Sequence, residues 1–221
     1  MIAARARFLA AGHYAPLAGA VAGAVRSCVL PCNLVVEAGA GTGYYLSKVL
    51  DARPECFGLA IDVSKHAARR AAKAHPRVDA IVGDVWDRLP LDAGASALTL
   101  VIFAPRQPAE LARTLHPQGL LVVVTPQPEH LSELRGKLDL LAIDPLKESR
   151  IASAFAPYFQ PAGAAGVEWR MNLTRQDVEA LVGMGPSARH TGGEALARGL
   201  SALDDPVSVT AAVTIRTYRR A

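Results

Sequence analysis

Val35-Val36-Glu37-Ala38-Gly39-Ala40-Gly41-Thr42-Gly43 decides the fold, because an apolar run stops here at glycines in alternate positions. Residues 33–37 have the character of a strand buried on both faces of a parallel sheet. The loop that follows must turn sharply into a helix and let a ligand touch its backbone. Gly39, Gly41 and Gly43 meet both needs. Their spacing is G-x-G-x-G, whereas a dinucleotide fingerprint needs G-x-G-x-x-G, and position 44 is Tyr. No Gly-Lys-Ser/Thr follows, which excludes a phosphate-cradling P-loop. The pattern favours a cofactor without a pyrophosphate, and S-adenosylmethionine is the one expected.

Acidic residues at the ends of successive apolar runs fit that cofactor. Glu37 closes the first strand, where it can bind the cationic methionine part directly or through water. Asp62 ends a second run that starts at Phe57, and a carboxylate there can accept hydrogen bonds from both ribose hydroxyls. Asp84 follows a third run, Val78 to Val82, and can meet the adenine amino group, with Val63 and Val85 beside the ring.

Around this core, strands and helices alternate. A helix from about Tyr44 to Ala52 is closed by Arg53-Pro54. Ser64 can cap a helix that runs to about His75, where Pro76 stops it. Leu98 to Phe103 reads as a fourth strand, a helix carries Glu110 to Arg113, and Leu120 to Val124 is a fifth strand. The expected fold is α/β: a doubly wound, mostly parallel seven-stranded sheet of the class I S-adenosylmethionine-dependent methyltransferase (Rossmann-like) type. Beyond Thr125, prolines at 126, 128, 145, 157 and 161 punctuate short helical pieces. A helix from about Thr174 to Val182 and a long antiparallel strand, Val207 to Tyr218, complete the pattern. A single domain over 1–221 is expected, with a helical lid segment (1–30), a cofactor core (31–128) and substrate-side helices and closing strands (129–221).

With 51% of 221 residues hydrophobic, intrinsic disorder is excluded. No uncharged apolar stretch of about 18 residues and no signal peptide are evident, so no membrane partner and a cytoplasmic setting are expected. The net charge of +4 suits a polyanion or a solvated surface equally. Cys28, Cys32 and Cys56 form no disulfide framework, and no second Cys/His pair lies nearby to complete a zinc site.

The chain resembles the large-subunit (23S) ribosomal RNA guanine-N1 methyltransferases, including the branch linked to macrolide (tylosin-type) resistance. The resemblance covers nearly all residues. It is carried by Arg5-Ala6-Arg7-Phe8-Leu9-Ala10-Ala11-Gly12-His13-Tyr14-Ala15-Pro16, by Glu37 to Tyr45, by Gly58 to Lys65, by Phe103-Ala104-Pro105, and by Thr125-Pro126-Gln127-Pro128-Glu129-His130-Leu131. It implies that Tyr14, the Gly41-Thr42 pair and His130 contact the cofactor, with Tyr14 on a lid segment just before the first helix. It also implies a ribosomal RNA hairpin as partner, and a homodimer is compatible with it. Family members usually begin with a small zinc ribbon, and this chain starts where that module would end, so no metal is expected in it.

The acceptor would be N1 of a guanine, which lies on the pairing edge and so must come from an unpaired or flipped base. The loop Phe103-Ala104-Pro105-Arg106 is where this fold class grips a planar acceptor. It lacks the Asn/Asp-Pro-Pro-aromatic pattern of enzymes that methylate exocyclic amines, which favours a ring nitrogen. Met184 to His190, with Arg189 and His190, is a second acceptor candidate. Arg69, Arg70 and Lys73 read as a solvated helix face, and His66, His75 and His116 as uninvolved. No residue is identified as the base. A small-molecule methyltransferase and a cofactor-binding scaffold are the alternatives.

Overall fold

In the computed structural model, which describes residues 1–138, 144, 147–185 and 193–221, the glycine-terminated run is β1 (Leu34–Ala38). Before it come α1 (Ile2–Ala10) and α2 (Ala15–Arg26). After it follow α3 (Tyr44–Ala52), β2 (Phe57–Asp62), α4 (Lys65–Ala71), β3 (Val78–Val82), β4 (Ser96–Ile102), α5 (Pro108–Thr114) and β5 (Leu115–Pro126). The second half adds α6 (Ser132–Leu138), α7 (Lys147–Phe155), β6 (Phe159–Leu173), α8 (Arg175–Met184), α9 (Gly193–Ser201) and β7 (Val207–Arg220).

One seven-stranded sheet runs in the order β3-β2-β1-β4-β5-β7-β6. The pairs β2/β3, β1/β2, β1/β4 and β4/β5 are parallel. Parallel strands put their carboxyl ends on one edge, so the loops after β1, β2, β3 and β4 gather there. The fold is thus the Rossmann-like one expected.

Three boundaries differ from the expectation for physical reasons. α4 stops at Ala71, because the chain turns there to lie against the glycine loop: a Cβ on Gly43 would sit 3.1 Å from both Ala71 and Ala74. β5 starts at Leu115, ahead of Leu120, because a bulge between Ser96 and Leu98 absorbs the residues around Pro117 and Gly119. β6 occupies a stretch expected to hold only short helical pieces.

The chain forms two compact units: Met1–Pro16, Pro126–Pro145 and Gly166–Val213 in one, Leu17–Thr125, Leu146–Ala165 and Thr214–Ala221 in the other. Among the described residues, the second, larger unit holds two apolar clusters. One joins Val101, Leu111, Leu121, Val123, Phe155, Phe159 and Tyr218, with Val85 and Ala104 packed on it. The other joins Val36, Ile61 and Leu89. The loops carrying Val85, Leu89 and Ala104 are therefore anchored to core at about 1.5–3 kcal/mol for each large side chain fully buried. In the first unit α1 packs on α8, where Thr174 and Asp177 form a reciprocal capping box.

Buried Arg53 and half-buried Arg77 replace helix caps in the larger unit. Arg53 donates to the carbonyls of Val25, Arg26 and Cys28 just past α2. Arg77 donates to those of Leu50, Arg53 and Cys56 at the end of α3. Arg77→Ala leaves those carbonyls without their donor. It should lower unfolding stability by about 2 kcal/mol in urea titrations, with cofactor affinity retained.

Candidate active site

Gly39, Gly41 and Gly43 have φ of +74°, +57° and +74°, the left-handed region that side chains avoid. The loop is held from β2: Gly39 and Ala40 amides donate to the Ile61 carbonyl at 2.8 and 3.0 Å, and the Gly41 amide donates to Asp62 Oδ2 at 2.8 Å. Asp62 Oδ1 accepts from the Ser64 amide at 2.9 Å. Each Asp62 oxygen has a second lone pair with which to accept from a hydroxyl. A Cβ on Gly39 would lie 2.5 Å from Ala104 Cβ, so the loop after β4 presses directly on the glycine loop.

Glu37 is 1% exposed, and its Oε2 accepts from the Leu46 amide at 3.1 Å. Leu46 lies in the first turn of α3, whose N-cap Gly43 has no side chain to cap it. Glu37 therefore serves first as a borrowed helix cap at the positive end of the helix dipole. Thr42 is buried within the loop. Asp84 Oδ1 accepts from the Trp86 amide at 3.0 Å. Val63 and Trp86 are exposed beside these acids, and Val85 is half-buried. A backbone cradle, a carboxylate at the end of β2 and apolar flanks fit a nucleoside cofactor.

After β4, Phe103 has φ +53° while 37% exposed. A bulky residue in that region is strained by about 1–3 kcal/mol and is retained only where its surroundings impose it. Here the Phe103 amide donates to the Val124 carbonyl at 3.2 Å, and Ala104 is wedged against Gly39. Pro105 is exposed; Arg106 is half-buried and donates to the Ala104 carbonyl at 3.2 Å. Burial lowers the Arg106 guanidinium below its ordinary value, with Tyr218 acting the other way. Among the described residues no carboxylate forms an ion pair with it.

Sequence reasoning missed the Glu110–Arg113 pair of α5. Glu110 is 9% exposed and accepts from Arg113 at 2.8 and 2.5 Å and from the Leu89 amide at 2.7 Å. Arg113 also donates to the carbonyls of Leu89 and Leu91. The pair clamps the loop that carries Asp84, Val85 and Trp86, and the Arg113 hydrogen bonds hold the Glu110 carboxyl below the usual carboxylate range. An acid and an arginine three apart on a helix ordinarily read as a surface pair.

Tyr14 and His130 lie in the smaller unit. Tyr14 sits between α1 and α2 and not ahead of the first helix, because residues 2–10 are themselves helical. It is 3% exposed, and its ring packs edge-on against Phe8 and Trp169, with centroids at 5.2 and 5.5 Å. Trp169, unread in the sequence because β6 was, donates to the His13 carbonyl at 2.8 Å. His130 Nδ1 accepts from the Ala212 amide at 3.1 Å, and its Nε2 lies 3.2 Å from the Tyr14 hydroxyl. Burial, aided by Arg135, pushes the imidazole down to about 4. The neutral ring therefore carries its proton on Nε2 and donates to Tyr14 Oη. Burial likewise raises the Tyr14 phenol, which stays protonated.

Arg189 and His190 lie outside the described residues. His66 is exposed on α4, and the His75 and His116 rings accept from the Arg77 and Gln118 amides. The three cysteines are free, and among the described residues no group of three His, Cys, Asp or Glu could hold a metal. Nor is any single described helix long and apolar enough to cross a membrane.

No family model matches the chain. A 23S rRNA (guanine(748)-N(1))-methyltransferase of Streptomyces fradiae is 44% identical, over 99% of this chain and 79% of its own. A Micromonospora griseorubida protein bearing the name of a 23S rRNA (guanine-N(1)-)-methyltransferase is 51% identical over the same shares. Among solved structures, the MccD protein is similar with a TM-score of 0.59 at 14% identity, over 91% of this chain and 96% of that one. A geranyl diphosphate methyltransferase in complex with SAM gives 0.55 at 16%, over 93% and 84%. The structural likenesses show the fold.

Two measurements check this geometry. Gly39→Ala combines a positive φ with a clash on Ala104; it should cost about 3 kcal/mol of stability and weaken S-adenosylmethionine binding about tenfold or more by calorimetry. His130 is held neutral in the fold, so the unfolded chain binds its proton first. The resulting stability is fully present above about pH 6.5 and is lost as pH falls toward 4. Against His130→Gln, which does not titrate, wild-type stability should fall by on the order of 3 kcal/mol over that window.

Proposed function

Because the chain belongs to the 23S rRNA guanine-N1 methyltransferase family, we propose that it transfers the methyl group of S-adenosylmethionine to N1 of a guanine in a 23S rRNA hairpin, with S-adenosylhomocysteine as the leaving product and the N1 proton released to water. The observation that carries this reading is the loop Phe103-Ala104-Pro105-Arg106, wedged against Gly39 of the cofactor cradle. When bound, S-adenosylmethionine supplies a methyl group already activated by its sulfonium centre. The glycine loop with Thr42 and Glu37 takes the methionine part, Asp62 the ribose, and Asp84 with Val63 and Val85 the adenine. Tyr14 and His130 are assigned to the cofactor by the family resemblance, and burial holds both neutral.

N1 of guanine carries a proton and lies on the pairing edge, so the base must leave its stack at a cost of a few kcal/mol. A partly exposed Phe103 offers a face on which a displaced base restacks. Arg106, half-buried without a carboxylate, suits O6 and N7 of guanine, a bidentate contact that leaves N1 open to the methyl. In-line positioning supplies much of the acceleration, because the donor is intrinsically reactive. In the same reading the modification confers tylosin-type macrolide resistance.

Primer extension on 23S rRNA treated with the enzyme and S-adenosylmethionine tests the assignment. A new stop beside one guanine is expected, together with raised tylosin tolerance in a sensitive host that expresses the chain. Phe103→Ala should lower kcat/KM for RNA by about tenfold to a hundredfold while cofactor affinity holds. If ribosomal RNA acquires no stop and no labelled methyl, the acceptor assignment is wrong.

A further inference from the structure

We propose that the outer face of α4 and its following turn is a phosphate track for the RNA backbone, separate from the residues that grip the target base. The inference rests on the RNA acceptor proposed above. The inward face of α4 is all alanine, with Ala67, Ala68 and Ala71 buried. Lys65, His66, Arg69, Arg70 and Lys73 are all exposed. No acid occurs from 65 to 73, and the four Lys/Arg in that stretch equal the +4 net charge of the whole chain.

Several arginines of the same unit are engaged. Arg53, Arg77, Arg113 and Arg219 donate to backbone carbonyls. Among the described residues, none of the four α4 cations forms a side-chain hydrogen bond or ion pair, and two acids of flanking segments are committed elsewhere. Asp62 accepts from Gly41 and Ser64, and Asp51 pairs with Lys48 and His75. A solvated face would be expected to interleave both signs; this one does not.

The spacing and placement suit a nucleic-acid strand. Lys65 and Arg69 lie four residues apart on α4, about 6 Å along a helix axis, close to the separation of successive phosphates, and Lys73 follows in the turn past Ala71. The track starts at the carboxyl edge, directly after Asp62, and its far end abuts the glycine loop through Ala71 and Ala74. A backbone held there flanks the cofactor cradle without entering it.

The test uses the full chain with Lys65, Arg69, Arg70 and Lys73 all changed to Ala, beside a control with Arg26, Lys48, Lys137 and Arg198 changed to Ala. Binding of a 23S rRNA hairpin fragment is measured across salt, with methylation kinetics on the same RNA. The α4 variant should show a salt slope shallower by about 3 and an RNA KM raised about tenfold or more. Its S-adenosylmethionine affinity and melting temperature should match wild type, and the control should change far less. An unchanged slope in the α4 variant, with wild type active, overturns the track and leaves the RNA assignment standing. An equal loss in the control shows a net-charge effect only and also overturns it. A wild type that neither binds nor methylates the RNA removes the acceptor reading and the track together.

Discussion

The site depends on three amide groups. Gly39, Ala40 and Gly41 turn their N–H groups toward the end of β2, where the Ile61 carbonyl and the Asp62 carboxylate receive them. An unpaired amide there would cost about 1–3 kcal/mol, so the glycine loop has one good conformation, and β2 sets it. The register that pairs Ala38 with Ile61 is therefore part of the site. A one-residue slip would move the carbonyl away and turn Asp62 to the other face of the sheet.

From that constraint the rest of the edge follows. With the glycine loop fixed, Gly39 leaves room for Ala104 and for nothing larger, which draws the loop after β4 inward. Phe103 then takes a left-handed backbone at the point where β4 still pairs with β5 through Val124. Its strain is the local consequence of two strands ending against one tight turn. The Glu110–Arg113 clamp does the same service for the loop after β3 by a different means: it satisfies backbone groups on both sides of Pro90 with charged partners.

The glycine loop and the strand ends around it were legible in the sequence because backbone geometry wrote them there. Positive φ favours glycine, buried parallel strands demand apolar runs, and a strand-end acid is easily seen after such a run. Ser64 and Thr174 were legible for a similar reason, since each caps the helix predicted from it. β6 was not, because Pro161, Gly163, Ala164, Ala165 and Gly166 are exposed and have little strand preference. With β6 went Trp169 and its part in holding Tyr14. Glu37 was seen as a ligand for the cofactor, but its bond to Leu46 is a capping role that no local pattern announces. Arg106 could be named as a candidate, yet its burial without a carboxylate is a fact of packing.

Burial also sorts the ionisable groups by task. Glu110 has a cationic partner and stays ionised, which suits a clamp. His130 and Tyr14 are buried among aromatic and apolar groups and are both held neutral. A ring held near pKa 4 adds hydrogen-bond order without positive charge throughout the neutral range. Arg106 and the α4 cations, by contrast, have no carboxylate partner among the described residues, and in the proposed reading they meet the electron-rich edge of guanine and an anionic backbone. In that reading neutral donors serve a cationic cofactor, and cations without a carboxylate partner among the described residues serve a polyanionic acceptor, a division that charge alone would impose.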